Sequence, residues 1–144
     1  MADTLFAAKA ILKEGLQVEC TARDFSIILD EPVSLGGTDT GMNPVEALLS
    51  ALGGCKCICA RAFAKKHKIN LKSVEIELEG TLDPDGFLGR NPDAKIGFSR
   101  IVTKFKIEAD NTKEEIEKYV EFIESHCPVQ DTLTNAAEFE TVIL

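Results

Sequence analysis

One long apolar helix constrains the fold of this chain more than any other sequence feature. Asn43 is a favourable N-cap, Pro44 suits the first helical position, and Glu46 stands three residues after the cap, as in a capping box. Apolar residues then recur at helical spacing to about Lys66 and cover most faces of the predicted helix. Such a helix needs cover from other elements, so we expect it to be buried at the centre of the fold.

Two adjacent glycines, Gly53 and Gly54, interrupt this predicted helix. A glycine inside a helix costs roughly 1 kcal/mol relative to alanine. The pair therefore predicts either the close approach of another backbone or a local bend, directly before Cys55.

Period-two alternation of apolar and polar residues predicts strands on both sides of the helix. Three short strands before the helix should form an antiparallel meander, and two longer strands after it should form a hairpin. A last strand is expected at the end of the sequence. The predicted strands are 5–12, 16–20, 25–29, 71–82, 98–109 and 139–144.

Two further helices are expected between the hairpin and the last strand. Thr112 and Glu115 form a capping box for a helix that ends near Ser125. Pro128 can open a short helix to about Asn135, with Cys127 as its N-cap. The order of elements predicts the α+β class, as one domain over residues 1–144 with a largely antiparallel sheet packed on the long helix.

Charge and length exclude several classes of function. The 144 residues carry a net charge of −8, so the basic surface that nucleic-acid binding or an anionic membrane requires is missing. The apolar segment 44–64 includes Glu46, Lys56 and Arg61, which makes a membrane span improbable. The first residues lack the pattern of a signal peptide, and we expect a cytoplasmic protein.

Five cysteines are an unusual feature of a chain expected in the cytoplasm: Cys20, Cys55, Cys57, Cys59 and Cys127. An odd number there does not indicate a disulfide framework, and buried thiols, a metal site or redox chemistry remain open. On an intact helix Cys57 points away from the face that Cys55 and Cys59 share, so these three cannot bind one metal ion. No metal and no cofactor are predicted.

Three residues are candidates for a functional site. Cys55 can be either a small core residue or a reactive thiol, and Cys127 at a helix N-cap should be the more acidic thiol, with His126 beside it. Glu46 has a structural interpretation as the acid of the capping box. It also lies nine residues before Cys55, about 13 Å along a helix, so it can serve a site at Cys55 only across a dimer interface.

Two segments together resemble a known family. The run G-M-N-P-V-E-A-L-L-S-A-L-G-G-C from Gly41 to Cys55, followed by His126-Cys127-Pro128-Val129, is similar to the OsmC/Ohr family, named for osmotically inducible protein C and the organic hydroperoxide resistance protein. The resemblance covers essentially the whole chain. It implies an OsmC-like fold and an intertwined homodimer with two sites at the subunit interface.

The resemblance also implies a thiol-dependent peroxidase, an oxidoreductase that reduces organic hydroperoxides. Cys55 matches the family's peroxidatic cysteine and Cys127 its resolving cysteine, with an external dithiol as reductant. The best-known members activate the first thiol with an arginine in the turn between their first two strands, held by a glutamate on the long helix. The corresponding turn here is 13–15 and has no arginine, whereas Glu46 matches the glutamate of divergent branches. Lys13 in that turn and Arg23 in the next turn are the candidate substitutes for this arginine.

Two alternatives to the peroxidase stay open at this stage. One is a non-catalytic protein that binds a small hydrophobic ligand on the same dimeric scaffold, because a fold does not determine function. The other is metal handling by Cys57 and Cys59. A contact between Cys55 and Cys127 would favour the two-cysteine mechanism, since a disulfide requires Cα atoms about 4.4–6.8 Å apart.

Overall fold

The computed structural model describes residues 2–144 and has the predicted α+β architecture with antiparallel sheets. These residues form two compact units, one extending to Leu48 and the other from Leu49 to Leu144. In chain order the strands and helices are β1 (Lys9–Leu12), β2 (Val18–Ala22), β3 (Phe25–Leu29), α1 (Pro44–Phe63), β4 (Leu71–Leu82), α2 (Pro84–Phe87), β5 (Phe98–Ala109), α3 (Lys113–His126) and α4 (Pro128–Thr134).

The first unit contains the predicted meander. Strands β1, β2 and β3 lie in that order and pair antiparallel, with Cys20 of β2 opposite Ala10 and Ile27. The turn between β2 and β3 holds Arg23 at a φ of 54°. Local alternation and a tight turn therefore account for this sheet, as the sequence predicted.

A buried carboxylate organises the loop that follows β3. Asp30 accepts hydrogen bonds from the backbone N–H groups of Glu31, Thr38 and Thr40, and from the hydroxyls of Thr38 and Thr40. These bonds hold the pKa of Asp30 well below its usual range, and the two hydroxyls contribute most. At Gly37 an added Cβ would lie 1.9 Å from the carbonyl oxygen of Glu31, so the loop closes only around a glycine.

The second unit contains the predicted hairpin and most of the buried side chains. Strands β4 and β5 pair antiparallel from Leu71 opposite Ala109 to Leu82 opposite Phe98. The turn after β4 is a short helix, α2, which Asp83 caps. A core of buried residues from α1, the segment after it and α3 packs beside this hairpin; they are Cys59, Ala60, Ala64, Ile69, Tyr119 and Ile123.

Capping boxes begin both long helices where the sequence places them. In α1 the backbone N–H of Glu46 donates to Asn43 Oδ1 and the N–H of Asn43 donates to Glu46 Oε1, both at 2.9 Å. Thr112 and Glu115 form the equivalent pair in α3. The termini of these helices are thus determined by local sequence.

The structure differs from four expectations about packing and strands. Residues 139–144 form no strand, and only Lys9–Leu12 of the first predicted strand is extended and paired. The expected approach at Gly53 comes from a side chain, because an added Cβ there would lie 2.6 Å from Leu78 Cδ1. Helix α1 is also buried on one side only, since Ile58 remains largely exposed.

Candidate active site

Cys55 lies on α1 in the turn after the two glycines. Its side chain is half-buried and packs against the core of the second unit. Gly53 lets Leu78 of β4 approach the helix closely just before this point. Gly53, two residues before Cys55, therefore lets α1 lie close against β4.

Cys127 lies at the junction of α3 and α4. It is the C-cap residue of α3 and the N-cap residue of α4, and its Sγ accepts a hydrogen bond from the backbone N–H of Gln130 at 3.4 Å. The predicted N-cap position is confirmed. The thiol is only 1% exposed in this chain.

The structure brings Cys55 and Cys127 together. Burial raises the pKa of the Cys127 thiol, and a side-chain hydrogen bond with Cys55 raises it further. The N–H groups of Gln130 and Val129 lower it, but they do not outweigh these two effects. The expectation that Cys127 is an unusually acidic thiol is therefore wrong, because removal from water outweighs the favourable helix end.

The remaining cysteines have separate environments. Cys59 is buried, and its thiol donates to the carbonyl oxygen of His126 at 3.9 Å. Cys57 is half-buried, and burial raises the pKa of its thiol. Cys20 lies in β2 of the first unit. Within residues 2–144 no three His, Cys, Asp or Glu side chains converge as metal ligands.

The ring of His126 lies against α3, with Nδ1 at 2.8 Å from Ser125 Oγ. Nδ1 donates to the carbonyl oxygen of Phe122 at 3.0 Å, and the ring stacks on that of Phe122 at a centroid distance of 4.1 Å. His67 packs on the same phenylalanine at 4.0 Å. Both histidines thus belong to an aromatic cluster around Phe122.

A buried lysine next to Cys55 is the feature that the sequence analysis did not assign. Lys56 is 1% exposed, and its Nζ lies 2.7 Å from Glu124 Oε2 on α3 and 3.2 Å from Thr103 Oγ1 on β5. Burying an ammonium group costs several kcal/mol unless it is paired, so this position is unusual. Lys56 is the only charged residue between Glu46 and Arg61 of α1, and this was the signal that could have identified it.

The other predicted site residues lie in the first unit, where each has a local partner. Glu46 closes the capping box of α1. Lys13 faces Glu19 at 3.9 Å, and the guanidinium of Arg23 lies over the ring of Phe25 at 4.8 Å. Among the predicted catalytic residues, the contact that the structure provides is therefore between Cys55 and Cys127.

No helix in the described part of the chain is both long enough and apolar enough to cross a bilayer.

Comparison with known proteins gives one consistent family. A family model described as OsmC-like protein matches residues 37–142. The chain is 26% identical over 139 residues to a hydroperoxide reductase of Mycoplasma genitalium, covering 96% of this chain and 93% of that protein. A hydroperoxide reductase of Mycoplasma pneumoniae is 25% identical over 139 residues, with the same coverage of 96% and 93%.

A solved structure agrees with this family. The crystal structure of an OsmC-like protein from Mycoplasma pneumoniae matches with a TM-score of 0.83 and 25% identity, covering 94% of this chain and 91% of that one. The similarity in fold and the matched family model extend over both cysteine motifs. The chain belongs to the OsmC-like protein family.

Proposed function

We propose that this protein is a thiol-dependent peroxidase that reduces organic hydroperoxides by a two-cysteine mechanism. The observation that carries the proposal is the contact between the side chains of Cys55 and Cys127, which lie on different helices and far apart in sequence. Two thiols in contact can be converted to a disulfide with little movement of the backbone. The hydroperoxide reductase names of the relatives support an oxidoreductase of this kind.

Cys55 is the peroxidatic cysteine in this proposal. Its thiolate attacks one oxygen of the peroxide bond, the bond breaks, and the alcohol leaves after taking up a proton. Cys55 becomes a sulfenic acid. Because Cys55 is half-buried and Cys127 is 1% exposed, Cys55 is the more accessible of the two sulfurs to a substrate.

Cys127 is the resolving cysteine. Its sulfur attacks the sulfenic acid, the two sulfurs form a disulfide, and one water molecule is released. An external dithiol then reduces the disulfide by thiol–disulfide exchange and is itself oxidised. The raised pKa of Cys127 suits this order, because a thiol that keeps its proton does not compete for the peroxide. The cycle needs no cofactor.

The proposal includes a homodimer in the cytoplasm. Several apolar side chains near the two ends of the chain are almost fully exposed, including Leu5, Phe6, Phe139 and Ile143. A second copy that covers such residues would remove a large apolar area from water. In that dimer Glu46 of one subunit is the residue proposed to act at Cys55 of the other.

A second candidate function is non-catalytic binding of a small hydrophobic ligand. The observation that favours it is an open groove between β5 and α3. Its apolar lining residues are Phe105, Ile107, Ile116 and Val120, and the charged residues Lys113 and Glu117 also line it. A protein of this kind would bind an apolar molecule without consuming peroxide.

The test is consumption of cumene hydroperoxide by the purified protein with dithiothreitol. We expect turnover in the parent protein, its loss in Cys55→Ser, and its retention in the control Cys20→Ser, which alters a thiol of the first unit. In Cys127→Ser, a sulfenic acid should persist at Cys55 and react with dimedone, as detected by peptide mass.

Turnover that survives in Cys55→Ser would refute the assignment of the attacking thiol. Consumption at the rate of dithiothreitol alone would refute the peroxidase for this substrate class. The binding function would then be tested by displacement of a fluorescent apolar dye, with Val120→Asp as the variant that should abolish binding in the groove.

A further inference from the structure

We propose that Lys56, through its ion pair with Glu124, is a positioning residue that holds Cys55 and Cys127 in register for disulfide formation. This inference rests on the proposed two-cysteine function and deepens it. Lys56 follows Cys55 directly on α1, and Glu124 precedes Cys127 by three residues on α3. The ion pair therefore joins the two helices within three residues of each cysteine in sequence.

Several contacts hold α1 against α3 and against the cysteine that follows α3. The hydroxyl of Tyr119 donates to the carbonyl oxygen of Ala60 at 2.5 Å. Lys56 meets Glu124 at 2.7 Å, and the side chains of Cys55 and Cys127 are in contact. A slip of one helix along the other would strain these contacts together.

The Lys56–Glu124 pair is a charged contact between α1 and α3 that adjoins both cysteines in sequence. The Nζ of Lys56 donates to Glu124 at 2.7 Å and to Thr103 of β5 at 3.2 Å, which ties α1 to two elements at once. Burial of an apolar side chain at position 56 would avoid the cost of desolvating a charge. An apolar contact would also tolerate sliding, whereas a charged hydrogen bond is lost when its atoms separate.

A disulfide demands such control of register. The bond requires the two sulfurs to approach to about 2.05 Å with a restricted torsion, and small displacements of the backbone make it strained and more easily reduced. Lys56 would therefore act on the stability of the Cys55–Cys127 disulfide without touching the peroxide.

The experiment measures the equilibrium of the Cys55–Cys127 disulfide in glutathione buffers of graded composition. The full-length protein is equilibrated and alkylated, and the pair is quantified by peptide mapping, which separates it from any disulfide of Cys57 or Cys59. We expect Lys56→Met and Glu124→Gln each to lower the equilibrium constant for the disulfide by about tenfold or more. A tenfold change corresponds to about 30 mV in reduction potential.

Two features of this design isolate positioning. Lys56→Met removes a positive charge and Glu124→Gln removes a negative one, so a purely electrostatic effect on the thiols would change the equilibrium in opposite directions. Lys104→Met is the matched control, because Lys104 forms a 2.6 Å ion pair with Glu79 between exposed side chains of β5 and β4. It should stay within about twofold of the parent, since exposed pairs contribute little.

Disulfide equilibrium constants within twofold of the parent in both Lys56→Met and Glu124→Gln would overturn the proposal. Shifts of opposite sign in the two variants would also overturn it, because they would show an electrostatic effect on the thiols and not positioning. Should Lys56→Met fail to fold, Lys56→Gln takes its place, because it also removes the positive charge. A parent protein that forms no Cys55–Cys127 disulfide would refute the two-cysteine function and this inference with it. Peroxide turnover is not needed here, so an inactive parent with the expected pattern would refute the peroxidase alone.

Discussion

The hydroxyl of Tyr119 offers a stringent test of how α3 packs on α1. The residue is 2% exposed, and its hydroxyl donates to the carbonyl oxygen of Ala60 at 2.5 Å and to that of Cys59 at 3.4 Å. Tyr119→Phe keeps the ring and removes only these bonds. A net hydrogen bond of this kind contributes about 1 kcal/mol, so the free energy of unfolding should fall by about that amount. For a chain of this length the midpoint of thermal unfolding should fall by about 4 °C.

The same residue makes a second, independent prediction about alkaline pH. Burial raises the pKa of Tyr119, and the neighbouring Cys59 adds to the effect. The folded state therefore holds the phenol proton more tightly than the unfolded state, whose pKa is about 10. This contribution to stability is complete below pH 10 and is lost as the pH rises through the folded value.

Absorbance at 295 nm measures this ionisation without interference, because the chain has one tyrosine and no tryptophan. We expect the native protein to titrate above pH 10, and the protein in urea to titrate near 10. For the stability of Tyr119→Phe the control is Ser99→Ala, which removes an exposed hydroxyl that donates to the carbonyl oxygen of Thr81 at 3.3 Å. This substitution should change the free energy of unfolding by less than about 0.5 kcal/mol. A native midpoint at or below 10, or equal losses in Tyr119→Phe and Ser99→Ala, would refute the described burial.

Three further predictions concern separate parts of the chain. Gly54→Ala should raise the free energy of unfolding in urea by up to about 1 kcal/mol, because an added Cβ meets nothing within 4 Å. Gly53→Ala should not show this gain, because its added Cβ would clash with Leu78. Equal effects of the two substitutions would contradict the packing of α1 on β4. Because its pKa is lowered in the folded state, Asp30 should stabilise the fold above about pH 4 and lose this effect on acidification. Asp30→Asn should therefore be less stable near pH 7, and its free energy of unfolding should depend less on pH below 4. Parallel curves of unfolding free energy against pH for the two proteins would contradict this. Iodoacetamide at pH 8 should modify Cys127 several-fold more slowly than Cys55 in the native protein, because Cys127 is buried and its pKa is raised. In urea the two thiols should react equally fast. Equal rates in the native protein would contradict the burial of Cys127.

Local sequence predicted most of the regular structure. The alternation in β4 and β5 gave their bounds as Leu71–Leu82 and Phe98–Ala109, because a strand with one buried face has a period of two. The capping box at Asn43 predicted where α1 begins, because the two hydrogen bonds join residues only three apart. The cap at Cys127 was predicted from Pro128, which favours the first position of a helix.

Predictions that depended on distant partners were less successful. Residues 139–144 are rich in apolar and β-branched residues, but a strand also needs a neighbour to pair with, and composition says nothing about that neighbour. The acidity of Cys127 was judged from the helix that it caps, whereas its burial depends on the packing around it.

The sequence by itself determined the types of element in this protein, the caps of its helices and the family to which its cysteine motifs point. These follow from interactions among residues a few positions apart. The tertiary structure decided that Cys55 and Cys127 meet, that burial raises the pKa of Cys127, and that the charge of Lys56 is paired inside the protein. Each of these depends on packing between α1 and α3, whose contacting residues are far apart in sequence and have no local signal that specifies their distance.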